Sequence, residues 1–401
     1  MSDSALVNDS DLPKPTQGTR PGRQAPLSRR QGAMPHDVSE QPKARPGDAI
    51  ADAGSPTSTE TTMTTAPPPD DVTTSETTPG LRSMLSFRKL SALYIFVLLF
   101  AVFSLWVPST FLTAGTWRSL LDSQALTAMA AIGLMIPVAA GAFDLAIGAE
   151  VGVTSIFVSW LLVERGVPIA AAVPLTLVLG ALVGGISAFL ITRVKIDSFI
   201  ATLGVSSVGS AVIYWLSGGA QILNLPPDFV AFSTGRLFGL TVPVFVMLGV
   251  ALVVWYVMEH TPAGRRVYAT GGNAQAARLA GVRTSAVLTG ALIACGVIAA
   301  GVGLLLASRL GTGDPTSGPS FLLPAFSAVF LGSTQFRDGR FNVWGTVVAV
   351  YVLAVGVQGL QLAGAPVWIP DLFNGLALLL AVGLAKFRGE GRAIRRLFRR
   401  A

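Results

Sequence analysis

The sequence predicts an all-α protein, a polytopic bundle of about ten transmembrane helices, some of them broken or re-entrant. The mean hydropathy is +0.60 and charged residues make up 13% of the chain, whereas a soluble domain carries about 25%. The apolar residues form runs close to the roughly 20 residues that a membrane-spanning helix needs. The basic residues fall between these runs and favour alternate connections, which is the usual topology signal.

Ten apolar runs account for this prediction. They are 90–111, 124–142, 149–163, 168–191, 197–217, 238–258, 284–308, 319–333, 343–363 and 367–386. The third and the eighth are short, so we expect each of them to be tilted, broken or re-entrant rather than a simple span.

The domain organisation follows from a shift in composition. Residues 1–83 hold 11 acidic residues, 8 basic residues and 12 prolines but no aromatic residue. Such a segment buries too little apolar surface to offset the entropy of ordering it. We therefore predict a disordered cytoplasmic tail over 1–83, a transmembrane domain over 84–388 and a basic cytoplasmic C-terminal tail over 389–401.

The distribution of basic residues predicts the orientation. With ten spans and a cytoplasmic N-terminus, the outside connections contain four arginines, and the remaining basic residues beyond the tail lie inside. This places both termini in the cytoplasm of a multi-pass inner-membrane protein. Because the basic residues alternate with apolar runs, we expect no nucleic-acid partner. The outside arginines are Arg118, Arg165, Arg236 and Arg309.

Small residues recur within the apolar runs, as in Gly180–Gly185 and Gly290–Gly296. In a bilayer, small residues four positions apart let two helix backbones approach closely, and packing rather than hydrophobicity drives helix association. The sequence therefore predicts a compact bundle.

The first candidate site is the segment 140–150, which places Asp144 and Glu150 at or near membrane depth between glycines. One interpretation is a discontinuous helix along a polar pathway, because charged groups and irregular backbone at that depth usually line a cavity or face a partner. The other is a short cytoplasmic turn with an acidic helix cap. The spacing alone favours neither.

The second candidate site is the longest connection between spans on the predicted cytoplasmic side, 261–283. Gly271-Gly272-Asn273 is a turn and helix-start signal. The residues after it predict a short helix that ends at Gly281, a typical C-terminal cap. An exposed alanine-rich helix at the membrane surface suits docking into a partner's groove; a solvated connector is the alternative.

Four stretches in order resemble the ribose/xylose-type ABC permease family over roughly residues 90–386. The stretches are Gly141-Ala-Phe-Asp-Leu-Ala-Ile-Gly148; Ile196-Asp-Ser-Phe-Ile-Ala-Thr-Leu-Gly204 with Leu216-Ser-Gly-Gly219; the loop Gly271–Gly281; and Leu331-Gly-Ser-Thr334 with Gly339-Arg-Phe-Asn-Val-Trp-Gly345-Thr. Each stretch is weak by itself, and the four together make the resemblance specific.

The resemblance implies a permease subunit that moves a monosaccharide or a similar small polar solute. Its implied partners are a cytoplasmic ABC ATPase, an extracytoplasmic solute-binding protein, a second permease subunit (a homodimer) and membrane lipid. No cofactor is bound by this chain, because ATP would be bound by the partner ATPase.

The resemblance also assigns residues to two sites. Those along the substrate pathway would be Asp144, Gly148, Phe199, Thr202 and Gly204, and those of the ATPase coupling loop would be Gly272, Asn273, Ala276, Ala277 and Gly281. The sequence departs from the family after Asp-Leu, where Ala146 replaces the common serine and Glu150 is unusual.

Two other classes of function are alternatives for this sequence. An enzyme is disfavoured because the two histidines, His36 and His260, form no metal-binding run, and no metal site is expected. The sequence has no Walker A loop, and Cys295 is the single cysteine, so no intrachain disulfide can form. An ion-coupled secondary transporter is the main alternative, since such proteins also use broken helices, with Asp144 and Glu150 as candidate ion relays.

Overall fold

The structure, a computed structural model, describes residues 91–334 and 339–398. In that part of the chain the protein is helical apart from one small hairpin, which confirms the predicted fold class. The elements are α1 (Ser91–Trp106), α2 (Pro108–Phe111), α3 (Ala114–Ala139), α4 (Ile147–Val163), α5 (Ile169–Phe189, continued by a π-helical turn, Leu190–Val194), α6 (Ser198–Ser217), α7 (Pro227–Thr234), β1 (Arg236–Leu237), β2 (Leu240–Thr241), α8 (Val242–His260), α9 (Pro262–Gly272), α10 (Ala274–Leu279), α11 (Thr284–Leu310), a 3₁₀ helix (Gly318–Phe321), α12 (Leu322–Ser333), α13 (Val343–Leu362) and α14 (Ile369–Phe398).

The ten apolar runs are all helical. Six helices of the described part are long and apolar enough to cross a membrane, and four shorter apolar helices accompany them. The third and eighth runs are among the shorter ones, as expected. At 1.5 Å per residue, the 17-residue α4 is about 25 Å long, less than the roughly 30 Å of a hydrocarbon core.

The boundaries differ from the prediction at two places. Helix α3 begins at Ala114, well before the apolar run, because the Thr113 side chain accepts a hydrogen bond from the Thr116 N–H and caps it. Helix α14 continues to Phe398, so part of the predicted C-terminal tail is helical. The predicted N-terminal tail, 1–83, lies outside the described residues.

Helix α3 lies at the centre of the bundle and packs against α8, α11, α12 and α13. Its second half is buried almost continuously, and small side chains such as Ala128, Ala130 and Ala131 allow neighbouring backbones to come close. By contrast, α5, α6 and α8 are largely exposed and carry large apolar side chains on their outer faces.

The crossing of α5 and α11 confirms the prediction of close helix packing. A Cβ atom on Gly180 would overlap the carbonyl oxygen of Gly296, and one on Gly296 would overlap the carbonyl oxygen of Gly180. One turn further along, Gly184 meets the carbonyl of Leu292 in the same way. Only glycine therefore fits at these positions without separating the two helices.

The connections that the charge pattern assigns to one side of the membrane also meet at one end of the bundle. A Cβ atom on Gly141 would lie 3.3 Å from the Cα atom of Gly271, and the Tyr268 hydroxyl donates a 2.8 Å hydrogen bond to the Phe341 carbonyl. At the other end, the N–H of Thr241 donates to the Asp122 carboxylate at 3.0 Å.

Candidate functional site

The helical path is interrupted between α3 and α4. Pro137 lies inside the last turn of α3 and has no N–H to continue the helical ladder. Residues 140–146 are irregular, and Gly141 has φ +91°, a conformation that glycine adopts without steric cost. The sequence therefore builds the discontinuity from a proline and a glycine.

Two side chains in the first turns of α6 accept hydrogen bonds from backbone N–H groups of this irregular segment. The N–H of Phe143 donates to Ser198 Oγ at 3.3 Å, and the N–H of Leu145 donates to Thr202 Oγ1 at 3.1 Å. The rings of Phe143 and Phe199 lie 4.6 Å apart, centroid to centroid. The first two sequence motifs thus form one structural unit, although they lie more than fifty residues apart.

Asp144 lies inside this unit with no exposed surface. Its Oδ1 atom accepts a 3.1 Å hydrogen bond from the N–H of Ala146, while no side chain caps α4. A solvated cytoplasmic turn does not fit a carboxylate buried this completely, so the discontinuous helix is the better interpretation of the segment.

Glu150 and Cys295 lie beside Asp144. All three side chains are buried, and one ligating atom of each lies within 4.8 Å of the other two. Both carboxylates are candidate residues from the sequence, whereas Cys295 stands out there only as the single cysteine that excludes an intrachain disulfide. Its position on α11, about 150 residues along the chain from Asp144, is set by tertiary packing and leaves no signal in the local sequence.

A cavity of about 450 Å³ adjoins the break between α4, α5 and α6. Its walls are apolar except at Glu150, and Gly204 of α6 lies on its border. Gly148 instead packs against the 3₁₀ helix, where a Cβ atom would lie 3.2 Å from the Gly318 carbonyl oxygen.

The five predicted pathway residues therefore fall into three environments. Asp144 and Thr202 are buried within the break, Phe199 and Gly204 are exposed on α6, and Gly148 is a packing position. Which of them contact a solute stays a prediction.

The predicted coupling loop contains the short helix expected from sequence. The Oδ1 atom of Asn273 accepts hydrogen bonds from the N–H groups of Gln275 and Ala276, both at 3.0 Å, and so caps α10. At the other end, Gly281 has φ +82° and donates to the carbonyl of Arg278. The N–H of Val282 donates to the carbonyl of Ala277, which completes a Schellman cap.

The five predicted coupling residues have different surroundings. Gly272 and Ala276 are exposed, Asn273 and Gly281 shape the ends of α10, and Ala277 is buried. The sequence analysis missed Leu279, whose side chain is 92% exposed at the end of α10. Its side chain is therefore accessible to a protein that docks on α10.

The coupling loop also contains a second helix, α9, that the sequence analysis did not predict, and its last turn contacts the helix break. A Cβ atom on Gly271 would overlap the carbonyl oxygen of Ala139, the last residue of α3. Gly141, in the break, also packs against Gly271, because a Cβ atom on Gly141 would lie 3.3 Å from the Cα atom of Gly271. Thus α9 joins the exposed helix α10 directly to the discontinuity beside Asp144.

The remaining motif glycines are structural. A Cβ atom on Gly345 would lie 2.6 Å from Asn342 Oδ1, and Gly332 packs against the backbone of the same turn, so the fourth stretch fixes the pairing of α12 with α13. Gly218 and Gly219 have φ +61° and +80° and end α6.

Replacement of Thr202 with valine is expected to destabilise the protein by roughly 1–3 kcal/mol, because the partly buried N–H of Leu145 then loses its acceptor. Thr176→Val is the matched control, since that buried hydroxyl bonds only to the carbonyl of Ala172 in its own helix. Thermal unfolding in detergent measures both variants, and equal melting temperatures would contradict the role given to Thr202.

Comparison with known proteins identifies the class of the chain. A family model described as "Branched-chain amino acid transport system / permease component" matches residues 118–382. The chain belongs to this family. The permease is a multi-pass membrane protein, and its motif-based resemblance to sugar-importer permeases is confirmed by its relatives.

Among those relatives, the ribose import permease protein RbsC of Haemophilus influenzae is 29% identical over 291 residues, 71% of the permease and 89% of the relative. The autoinducer 2 import system permease protein LsrD of Yersinia enterocolitica is 33% identical over 258 residues, 63% of the permease and 78% of the relative. No solved structure matches the permease.

Proposed function

We propose that the permease is the membrane-spanning subunit of an ABC importer that carries a monosaccharide or a similar small polar solute across the inner membrane. ATP hydrolysis by a partner subunit supplies the energy. The observation that carries this proposal is the contact of α9 with the helix break, because it connects an exposed docking helix to the candidate pathway. A movement imposed on α10 from outside would therefore reach Asp144 through one short helix.

The cytoplasmic side is assigned to the end of the bundle that carries α9 and α10. Several exposed basic residues lie there, and basic residues are retained on the cytoplasmic side of inner-membrane proteins. They include Arg193, Lys195, Arg265, Arg266, Arg278 and Arg283. An ATPase, which needs cytoplasmic ATP, docks at this end, and a solute-binding protein docks at the opposite end.

We assign the exposed face of α6 to the contact with the second permease subunit. Ile200, Leu203 and Val208 on this face are 69%, 57% and 66% exposed, and Gly204 beside them has open space around it. A second copy that packs here would place Phe199 and Gly204 of both chains along a shared pathway, with lipid covering the other apolar faces.

The proposed class of solute rests on the names of the relatives. Two of them are named for ribose and autoinducer 2, whereas the family description names branched-chain amino acids. The pathway residues of the permease include few polar groups, so we expect the solute-binding protein to supply most of the selectivity.

Uptake of labelled ribose by cells tests this function against the ion-coupled alternative, which the buried pair Asp144 and Glu150 would favour. We expect uptake to disappear when the partner ATPase is inactivated and to persist when ionophores collapse ion gradients at constant ATP. Uptake that survives loss of the ATPase and follows a proton or sodium gradient would contradict the proposal.

A further inference from the structure

Three ligating side chains from separate segments converge in the interior of the bundle. Asp144 comes from the break, Glu150 from the first turn of α4 and Cys295 from the middle of α11. None is more than 1% exposed. One carboxylate oxygen of each acid and the sulfur of Cys295 all lie within 4.8 Å of one another.

Three of the four carboxylate oxygens of this cluster lack a hydrogen-bond partner among the described residues, while Asp144 Oδ1 accepts from the N–H of Ala146. Among the described residues, no hydrogen bond reaches Oδ2 of Asp144 or either oxygen of Glu150. Two unpaired carboxylates at this depth repel each other and have lost their hydration, so buried charges of this kind are paired or coordinate metals. The cluster therefore holds three unpartnered carboxylate oxygens, and one oxygen of each acid lies within 4.8 Å of the Cys295 sulfur.

We propose that Asp144, Glu150 and Cys295 bind one divalent transition-metal ion of the zinc class. Two carboxylates and a thiolate are all zinc ligands, and three protein ligands leave a fourth position open. Around a tetrahedral zinc ion such atoms stand about 3.5 Å apart, given metal–ligand lengths of about 2.0–2.3 Å.

The ligand set argues against other occupants. Calcium and magnesium prefer six or more oxygen ligands, and the cluster includes a sulfur atom. A proton shared by the two acids would neutralise one carboxylate and leave the other charged in the interior. A divalent ion offsets two of the three negative charges of the carboxylates and the thiolate, and one proton is released as the thiol becomes a ligand.

The ion would join the break between α3 and α4 to α11. It would thereby fix the backbone of residues 144–150 against the helix that also crosses α5 through Gly296. This inference is independent of the proposed transport function, because it concerns the stability and the metal content of the folded chain.

Metal binding by the full-length, tag-free protein in detergent tests the site. After incubation with zinc and desalting, we expect an equimolar amount of zinc by mass spectrometry and a raised melting temperature. The Co²⁺ form should show sulfur-to-cobalt charge-transfer absorption. Glu150→Gln should reduce the retained metal to background, and the nearly isosteric Cys295→Ser should abolish the charge-transfer band.

Glu164→Gln is the matched control, because that glutamate is exposed at the opposite end of α4 and its loss should leave zinc retention unchanged. Background zinc in the unmodified protein would overturn the proposal. So would retention in Glu150→Gln equal to that of the unmodified chain, or an infrared carboxylic-acid band lost in Glu150→Gln, which would show that protons neutralise the pair. Cys295→Ser keeps the test decisive if Glu150→Gln does not fold.

Discussion

Replacement of Gly271 with alanine is expected to impair solute uptake and to lower the free energy of unfolding by roughly 1–3 kcal/mol, the usual cost of overpacking. The added methyl group would overlap the carbonyl oxygen of Ala139, where α9 meets the end of α3. Backbone cannot move aside as a flexible side chain can, so α9 must shift away from the break. ATP hydrolysis by the assembled complex should then be less tightly coupled to transport.

Three measurements on the Gly271→Ala variant check this result: thermal unfolding, the amount of ATPase that co-purifies, and the solute moved per ATP hydrolysed. Gly290→Ala is the matched control, because a Cβ atom there meets open space within another helix. Gly271→Ala with unchanged stability and unchanged coupling would show that the contact of α9 with the break transmits nothing.

Replacement of Leu279 with aspartate is expected to abolish the association with the ATPase and, with it, uptake. Leu279 is 92% exposed at the end of α10, so the change should leave the fold of the permease intact while it removes an apolar anchor. In the docked complex the introduced carboxylate would be buried without a partner, which costs binding free energy. Co-purification of the ATPase with the variant measures the effect.

Val367→Asp provides the control for Leu279→Asp. Val367 is 95% exposed and lies in the connection between α13 and α14, at the opposite end of the bundle from α10. The Val367→Asp variant should retain the ATPase in full. If Leu279→Asp retains as much ATPase as Val367→Asp, then α10 is not the docking helix.

The ten apolar helices were predictable because each depends on a local run of apolar residues. The ends of α10 were predictable for a similar reason, since Asn273 and Gly281 cap the helix through bonds to neighbours two to four residues away. Pattern and capping chemistry therefore determine these elements without reference to the rest of the chain.

The contacts that give these elements a function were not predictable. The approach of Gly271 to Ala139, and of Cys295 to Asp144, joins segments more than a hundred residues apart. Ala277 shows the same difficulty at short range, because the sequence of a short alanine-rich helix does not indicate which alanine is buried. The family resemblance pointed to these segments, and the structure separates the packing residues within them from the exposed ones.

Transport by the purified complex in liposomes tests the central claim most directly. The permease, its co-purifying ATPase and a ribose-loaded binding protein are reconstituted, with ATP supplied on the side of α10. We predict accumulation of the bound solute that requires ATP hydrolysis and is lost in Leu279→Asp. Accumulation without ATP, driven by an imposed proton or sodium gradient, would contradict the account.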